Sequence, residues 1–190
     1  MSSKVDNRIR VTIAQFYCAM AQHENHLKCF HDYGVQVEGW LKGEFLTFLE
    51  DEKKSGRIID FDREVKSLDG RKKVDFRIEI PSEADNTCVW LELKHWLIGK
   101  QKGVNYYASF YFGDPSAIGI ISDVKKLAKV PDEGRYLLVL ATANPGQDEW
   151  QKGVSKFNKK FTPFFLEPLT YPRDFPNYYF LGLLKVSCDR

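Results

Sequence analysis

Through the first third of the chain the apolar positions step by three and four. Ile13, Phe16, Met20, His23, Leu27 and Phe30 form one seam, which predicts a long helix over 6–32 ended by Gly34. A second helix is predicted over 37–54, with Trp40, Leu41, Phe45, Phe48 and Leu49 as its apolar arc and Glu44 inside that arc. Glu50 and Glu52 have less claim to this face. Ser55-Gly56 breaks the helix, and the period then shortens to two. Strands are predicted over 57–65, over 72–80 after the hairpin signal Asp69-Gly70, and over 88–96.

Alternation assigns the faces of these strands. In 72–80, Val74, Phe76, Ile78 and Ile80 lie on one side and Asp75, Arg77 and Glu79 on the other. In 88–96, Leu91, Leu93 and His95 oppose Glu92 and Lys94. The loop between them is short enough for an antiparallel hairpin, which brings Asp75 near Glu92 and Lys94. The aromatic run over 106–112 suits either a core or stacking on exposed bases, and its period does not decide helix or strand. Asp114-Pro115 opens a helix predicted over 116–129, which buries Ile120, Ile121, Val124, Leu127 and Ala128 and carries Lys125, Lys126 and Lys129. A strand over 135–142, a helix over 147–160, a proline-interrupted tail and a last strand over 178–186 complete the chain. Three strands in a row, then a helical crossover to a further strand, predict an α/β protein with a mixed central sheet flanked by helices.

At 190 residues, 43% hydrophobic and 28% charged, the chain suits one domain. Within it, 1–36 is an N-terminal helical extension, the first arm of a helical hairpin and a candidate homodimer surface, and 37–190 is the core. No apolar run is long enough to span a membrane and the first residues lack a signal-peptide core, so a cytoplasmic protein with no membrane partner is expected. Cys18, Cys29, Cys88 and Cys188 have no paired spacing and suit reduced thiols. His23, His26, Cys29 and His31 invite a zinc reading, but helical spacing does not bring all four to one point. The net charge is only +2, so any nucleic-acid partner must be met by local clusters: Lys100 with Lys102, and Lys125 with Lys126.

Charged residues inside buried elements need a partner or an ion. That applies to Glu44 on the helix, and to Glu92 and Lys94 on the strand. Asp75 followed on the next strand by Glu92-Leu93-Lys94 resembles the signature of the PD-(D/E)XK nucleases, with Val74 where the name-giving proline falls. The resemblance implies a restriction-endonuclease-like core and a metal-dependent nuclease acting on DNA ahead of RNA. It further implies that Asp75, Glu92 and the Leu93 carbonyl hold Mg²⁺ or Mn²⁺, that Glu44 extends the carboxylate cluster, and that Lys94 orients the attacking water or stabilises developing charge. A binding domain of the same fold without activity is the alternative, and its site is expected to be filled or closed by a neutralising salt bridge.

Overall fold

The strand-rich middle of the chain and its late strands merge into one six-stranded sheet, ordered β1-β2-β3-β6-β8-β7. The computed structural model describes residues 2–66, 72–81, 86–101, 103–116, 118–130, 134–170 and 178–188. In chain order the elements are α1 (Ser2–Met20), a 3₁₀ turn (Ala21–His23), α2 (Glu24–Asp32), α3 (Glu38–Lys54), β1 (Asp60–Lys66), β2 (Lys73–Ile80) and β3 (Thr87–Leu97). There follow β4 (Gly99–Gln101), β5 (Val104–Tyr106), α4 (Ala108–Tyr111), α5 (Ile121–Leu127), β6 (Gly134–Thr142), α6 (Gln147–Lys160), β7 (Phe164–Pro168) and β8 (Tyr179–Cys188). β1, β2 and β3 form an antiparallel meander, β6 lies parallel to β3 after the α5 crossover, and β8 returns antiparallel to β6. The predicted turn Asp69-Gly70 lies outside the described residues.

Both faces of the sheet are covered, which explains why β3 and β6 are apolar almost throughout. One core joins Ile13, Phe16 and Leu27 from α1 and α2 and Leu41, Phe45 and Leu49 from α3 to Phe76, Ile78, Leu91 and Leu93. The other joins Val124 and Leu127 of α5 and Trp150 and Phe157 of α6 to Trp90, Trp96, Leu137 and Val139. Glu92 and Lys94 sit between Trp90 and Trp96, on the α5 side of β3. The N-terminal seam is thus consumed within the chain.

Several elements differ from the sequence expectation. The predicted helix over 6–32 breaks at Ala21–His23, where His23 adopts φ −101° and ψ 8°. Asp114 does not cap an α-helix: its carboxylate accepts from the Ser116 N–H at 2.9 Å, the loop folds back, and α5 starts only at Ile121. Gly119 allows that return, since a Cβ there would stand 2.0 Å from the Asp114 carbonyl oxygen. The aromatic run splits in two. Tyr111 stacks on Trp96 with centroids 5.0 Å apart, while Tyr107 and Phe110 stay exposed. Val74 leaves the face of Phe76 and joins the opposite core. Beside it, Glu64 of β1 adopts φ 53°, a left-handed conformation that turns the strand between its pairings at Arg63↔Phe76 and Val65↔Val74. The proline-rich tail hides an extra strand, β7, at the edge of the sheet, where Asn158 of α6 bonds both the N–H and the C=O of Leu166.

The second core depends on a close approach of α6 to β8. A Cβ on Gly182 would meet the Trp150 ring at 2.3 Å. Gly182→Ala is therefore expected to destabilise the protein by about 2 kcal/mol through overpacking, read from urea denaturation. Wild-type stability in that variant would contradict the packing described.

Candidate functional site

The hairpin β2–β3 runs from Ile80↔Thr87 to Phe76↔Leu91 and then opens. Beyond that pair β2 stays with β1 to Lys66↔Lys73, while β3 stays with β6 to Leu97↔Thr142. Parting strands leave backbone N–H groups without a ladder partner, and a buried donor must find another acceptor. Here the acceptors are side-chain carboxylates. Glu92 Oε2 accepts from the Asp75 N–H at 3.3 Å, and Asp75 Oδ2 accepts from the Leu93 N–H at 2.9 Å. The fork between the strands is closed by the two acids that the sequence singled out.

Their remaining oxygens meet ammonium groups from helices on opposite faces of the sheet. Asp75 Oδ1 lies 2.8 Å from Lys42 Nζ of α3, and Glu92 Oε1 pairs with Lys126 of α5. Lys42 also pairs with Glu38 Oε1 at 3.0 Å. Glu38 Oε2 reaches Lys94 at 3.6 Å, Lys94 reaches Asp123 Oδ2 at 3.2 Å, and Asp123 Oδ1 reaches Lys126 at 3.5 Å. Following these contacts from Glu38 through Lys42, Asp75, Glu92, Lys126, Asp123 and Lys94 leads back to Glu38. The result is a chain of six ion pairs among four acids and three lysines, whose two ends, Asp75 and Glu92, meet at the fork through the Asp75 N–H.

Burial makes the ion-pair chain tense. Glu92 is 3% exposed and Asp123 is 5% exposed. Desolvation, joined by the Asp75 charge, pushes the Glu92 carboxyl up to about 8, against the pull of Lys126. Asp123 is also pushed up by burial, with Lys94 and Lys126 opposing. Burial works against the Lys94 ammonium, but Asp123 and Glu38 outweigh it and hold its pKa above the ordinary lysine value. Lys94 is therefore a fixed positive charge at neutral pH and not a proton acceptor. Asp123 Oδ2 is buried and faces the Lys94 ammonium at 3.2 Å.

Glu44, expected in this cluster, is elsewhere on α3. Its Oε2 lies 3.3 Å from His23 Nε2, and the side chain is partly exposed. The first turn of the same helix contributes Glu38 instead, and the buried acid of α3 is Glu52, gripped by Arg57 with Nε 2.7 Å from Oε2. Lys126 turns inward to Glu92, whereas Lys125 is exposed. Lys102 and the side chain of Lys100 lie outside the described residues. Lys72 and Lys73 take the place at the mouth, lining an open pocket with Ser122, Asp123 and Lys126. Of the histidines, His23 faces Glu44 and His26, and His31 Nε2 bonds the Ile98 carbonyl at 2.7 Å. Among the described residues no group of three or more His, Cys, Asp and Glu side chains is arranged to hold a metal ion.

Asp123 had a signal in the sequence. It shares its helix face with Ile120 and Leu127, as Glu44 shares one with Trp40 and Phe48, and a lone acid on a core-facing stripe calls for a partner. Glu38 had a weaker one, the i,i+4 pair with Lys42. The start of α3, which carries Glu38, is held by His95. His95 Nδ1 lies 3.2 Å from the Val37 N–H, which donates to it, and 3.0 Å from Gln36 Oε1, while Nε2 lies 3.0 Å from Thr142 Oγ1. Burial keeps the ring neutral and lowers the His95 pKa to about 4.

Compared with models of known protein families, with curated proteins and with solved structures, the chain finds no match.

Two opposite pH limbs are expected in thermal or urea denaturation. Glu92 is easier to protonate folded than unfolded, so the stability present below its ordinary 4.5 falls as pH rises towards about 8. Glu92→Gln should gain on the wild type at about pH 9 and lose that advantage as pH falls. His95 is harder to protonate folded than unfolded, so stability present above 6.5 falls as pH drops towards about 4. His95→Gln should flatten that acid limb. Parallel pH curves for variant and wild type would refute either assignment.

Proposed function

We propose that the chain is a divalent-cation-dependent nuclease of the PD-(D/E)XK type, hydrolysing phosphodiester bonds of DNA ahead of RNA. The observation that carries this reading is the fork itself. A helix, an antiparallel meander, a crossover helix and a strand parallel to β3 surround it; Asp75 and Glu92 bond across it where β2 and β3 part, and Lys94, two residues on, joins them through Glu38 and Asp123. That order and that position agree with the restriction-endonuclease-like arrangement.

Asp75, Glu92 and the Leu93 carbonyl offer oxygens of the chemical kind Mg²⁺ and Mn²⁺ take. In this arrangement the carboxylate oxygens are engaged by Lys42, Lys126 and two backbone N–H groups, so a cation would have to displace an ammonium to bind. Such a cation, when bound, supplies charge for the scissile phosphate and lowers the pKa of a coordinated water. The chain's own part is to hold Lys94 charged between Glu38 and Asp123, two residues along β3 from Glu92, where an ammonium would stabilise negative charge developing on phosphate oxygens. Lys72 and Lys73, the latter paired with Glu64 at 3.0 Å, line the open pocket and would add positive charge beside a phosphate backbone.

One observation favours a second reading, a nucleic-acid- or protein-binding domain without activity. Asp75 and Glu92 already have ammonium partners in Lys42 and Lys126, as in a site closed by salt bridges. Incubation with Mg²⁺ or Mn²⁺ and plasmid, linear, single-stranded, branched and RNA substrates separates the two. Cleavage is expected, and Asp75→Ala, Glu92→Ala and Lys94→Ala are each expected to lower it by about a hundredfold or more with folding intact. Glu44→Gln should cut like the wild type. Retention of nucleic acid without cutting on any substrate would support the binding domain, and wild-type cleavage by Lys94→Ala would refute the site.

A further inference from the structure

The short turn α4, which follows the β4–β5 hairpin, faces two ways. The Phe110 N–H bonds the Tyr107 carbonyl at 3.0 Å, so Tyr107 and Phe110 lie on one side of this single turn. The other side is committed to the core. Tyr111 stacks on Trp96, and its hydroxyl donates to the Leu97 carbonyl at 2.7 Å. Phe112 packs into α6 at Gly153, where a Cβ would meet its ring at 2.2 Å. With both inward rings fixed, Tyr107 and Phe110 remain 57% and 44% exposed. Phe110 is still held in place, in T-shaped contact with Tyr106 and Tyr111 at centroid distances of 5.7 and 5.4 Å. A ring fixed beforehand loses little rotamer freedom when a flat ligand stacks on it.

Charge beside the two rings narrows the occupant. Lys156 of α6 lies against Gly113, its Cε and Nζ 3.4 Å from where a Cβ would stand, and the Gly113 N–H bonds the Phe110 carbonyl at 3.0 Å. Lys156 is exposed and makes no ion pair among the described residues. The acids nearby are already engaged: Glu149 with the Ser109 N–H at 3.1 Å and Lys152 at 3.7 Å, and Asp114 with the Ser116 N–H at 2.9 Å. An apolar protein surface pressed onto the rings would bury the Lys156 ammonium without counter-charge, which is costly. A nucleic-acid strand offers flat bases to the rings and phosphates to the ammonium, and its base faces are open only where it is unpaired. We propose that Tyr107, Phe110 and Lys156 form a stacking platform for an unpaired stretch of nucleic acid. The platform uses no residue of the fork and needs no metal there, so it serves a nuclease and a binding domain alike.

Fluorescence anisotropy with labelled oligothymidylate and oligouridylate, in EDTA so that no strand is cut, tests the platform on the full chain. Binding of either strand supports it. Tyr107→Ala is expected to weaken that binding by about tenfold, the loss of one stacked base, whereas Tyr107→Phe keeps the ring and should bind like the wild type. Lys156→Gln should weaken it too, and lower the slope of log K against log salt by about 0.7. Tyr33→Ala, which removes an exposed ring just after α2, should change nothing. A strand of the same length built from abasic sites should bind weakly, and equally to the wild type and to Tyr107→Ala. Abasic or duplex DNA bound as tightly as oligothymidylate would overturn the proposal, since neither offers an open base. So would wild-type affinity in Tyr107→Ala or an unchanged salt slope in Lys156→Gln. No binding of either probe by the wild type would overturn it in favour of a protein contact, and cleavage assays would still decide the nuclease reading. Both substituted side chains are exposed, so the variants are expected to fold, which thermal denaturation checks.

Discussion

The parting of β2 from β3 after Phe76↔Leu91 is the constraint on which the site depends. Buried backbone N–H groups freed by that parting must be satisfied, and Asp75 and Glu92 satisfy them with their carboxylates. Acids buried for that purpose need counter-charge, because an unpaired carboxylate away from water is costly. Lys42 and Lys126 supply it, and they in turn draw in Glu38 and Asp123. The whole chain of ion pairs follows from one departure from sheet pairing.

The fork also explains how helices on opposite faces of one sheet reach each other. α3 belongs to the core with Phe76 and Leu91, and α5 to the core with Trp90 and Leu137. In a continuous sheet their polar side chains would be separated by a layer of backbone. Where β2 and β3 diverge, Lys94 pairs with Glu38 of α3 and with Asp123 of α5. His95, next along β3, points the other way and fixes the N-terminus of α3 through Val37, so adjacent residues of one strand set both halves of the arrangement.

The chain of ion pairs bears on both functional readings. Ion pairs that neutralise a buried carboxylate cluster stabilise a fold without metal, and the same pairs define what a metal must displace. Glu92 is the most strained member, since burial and Asp75 both oppose its charge. Its partner Lys126 borders the pocket with Lys72 and Lys73.

By itself the sequence determined most of the elements and their order, the three-strand meander followed by a helix and a further strand, from period-two and period-three-to-four patterning; the pairing directions came with the packed sheet. It also determined Asp75, Glu92 and Lys94 as the residues to watch, because charge in an apolar strand demands a reason. Only the tertiary structure decided the partners. Glu38 rather than Glu44 faces the site, because a helical wheel gives the direction of a side chain but not which turn of the helix passes the fork. Lys126 points inward and Lys125 outward, a difference set by how α5 seats Val124 and Leu127 against the sheet. Val74 changes sides opposite the turn of β1 at Glu64, and β7 forms where β8 pairs with it and Asn158 bonds Leu166 on its other edge. Periodicity reports the faces of an element, whereas the meeting of side chains from elements far apart in the chain is settled only when those elements pack.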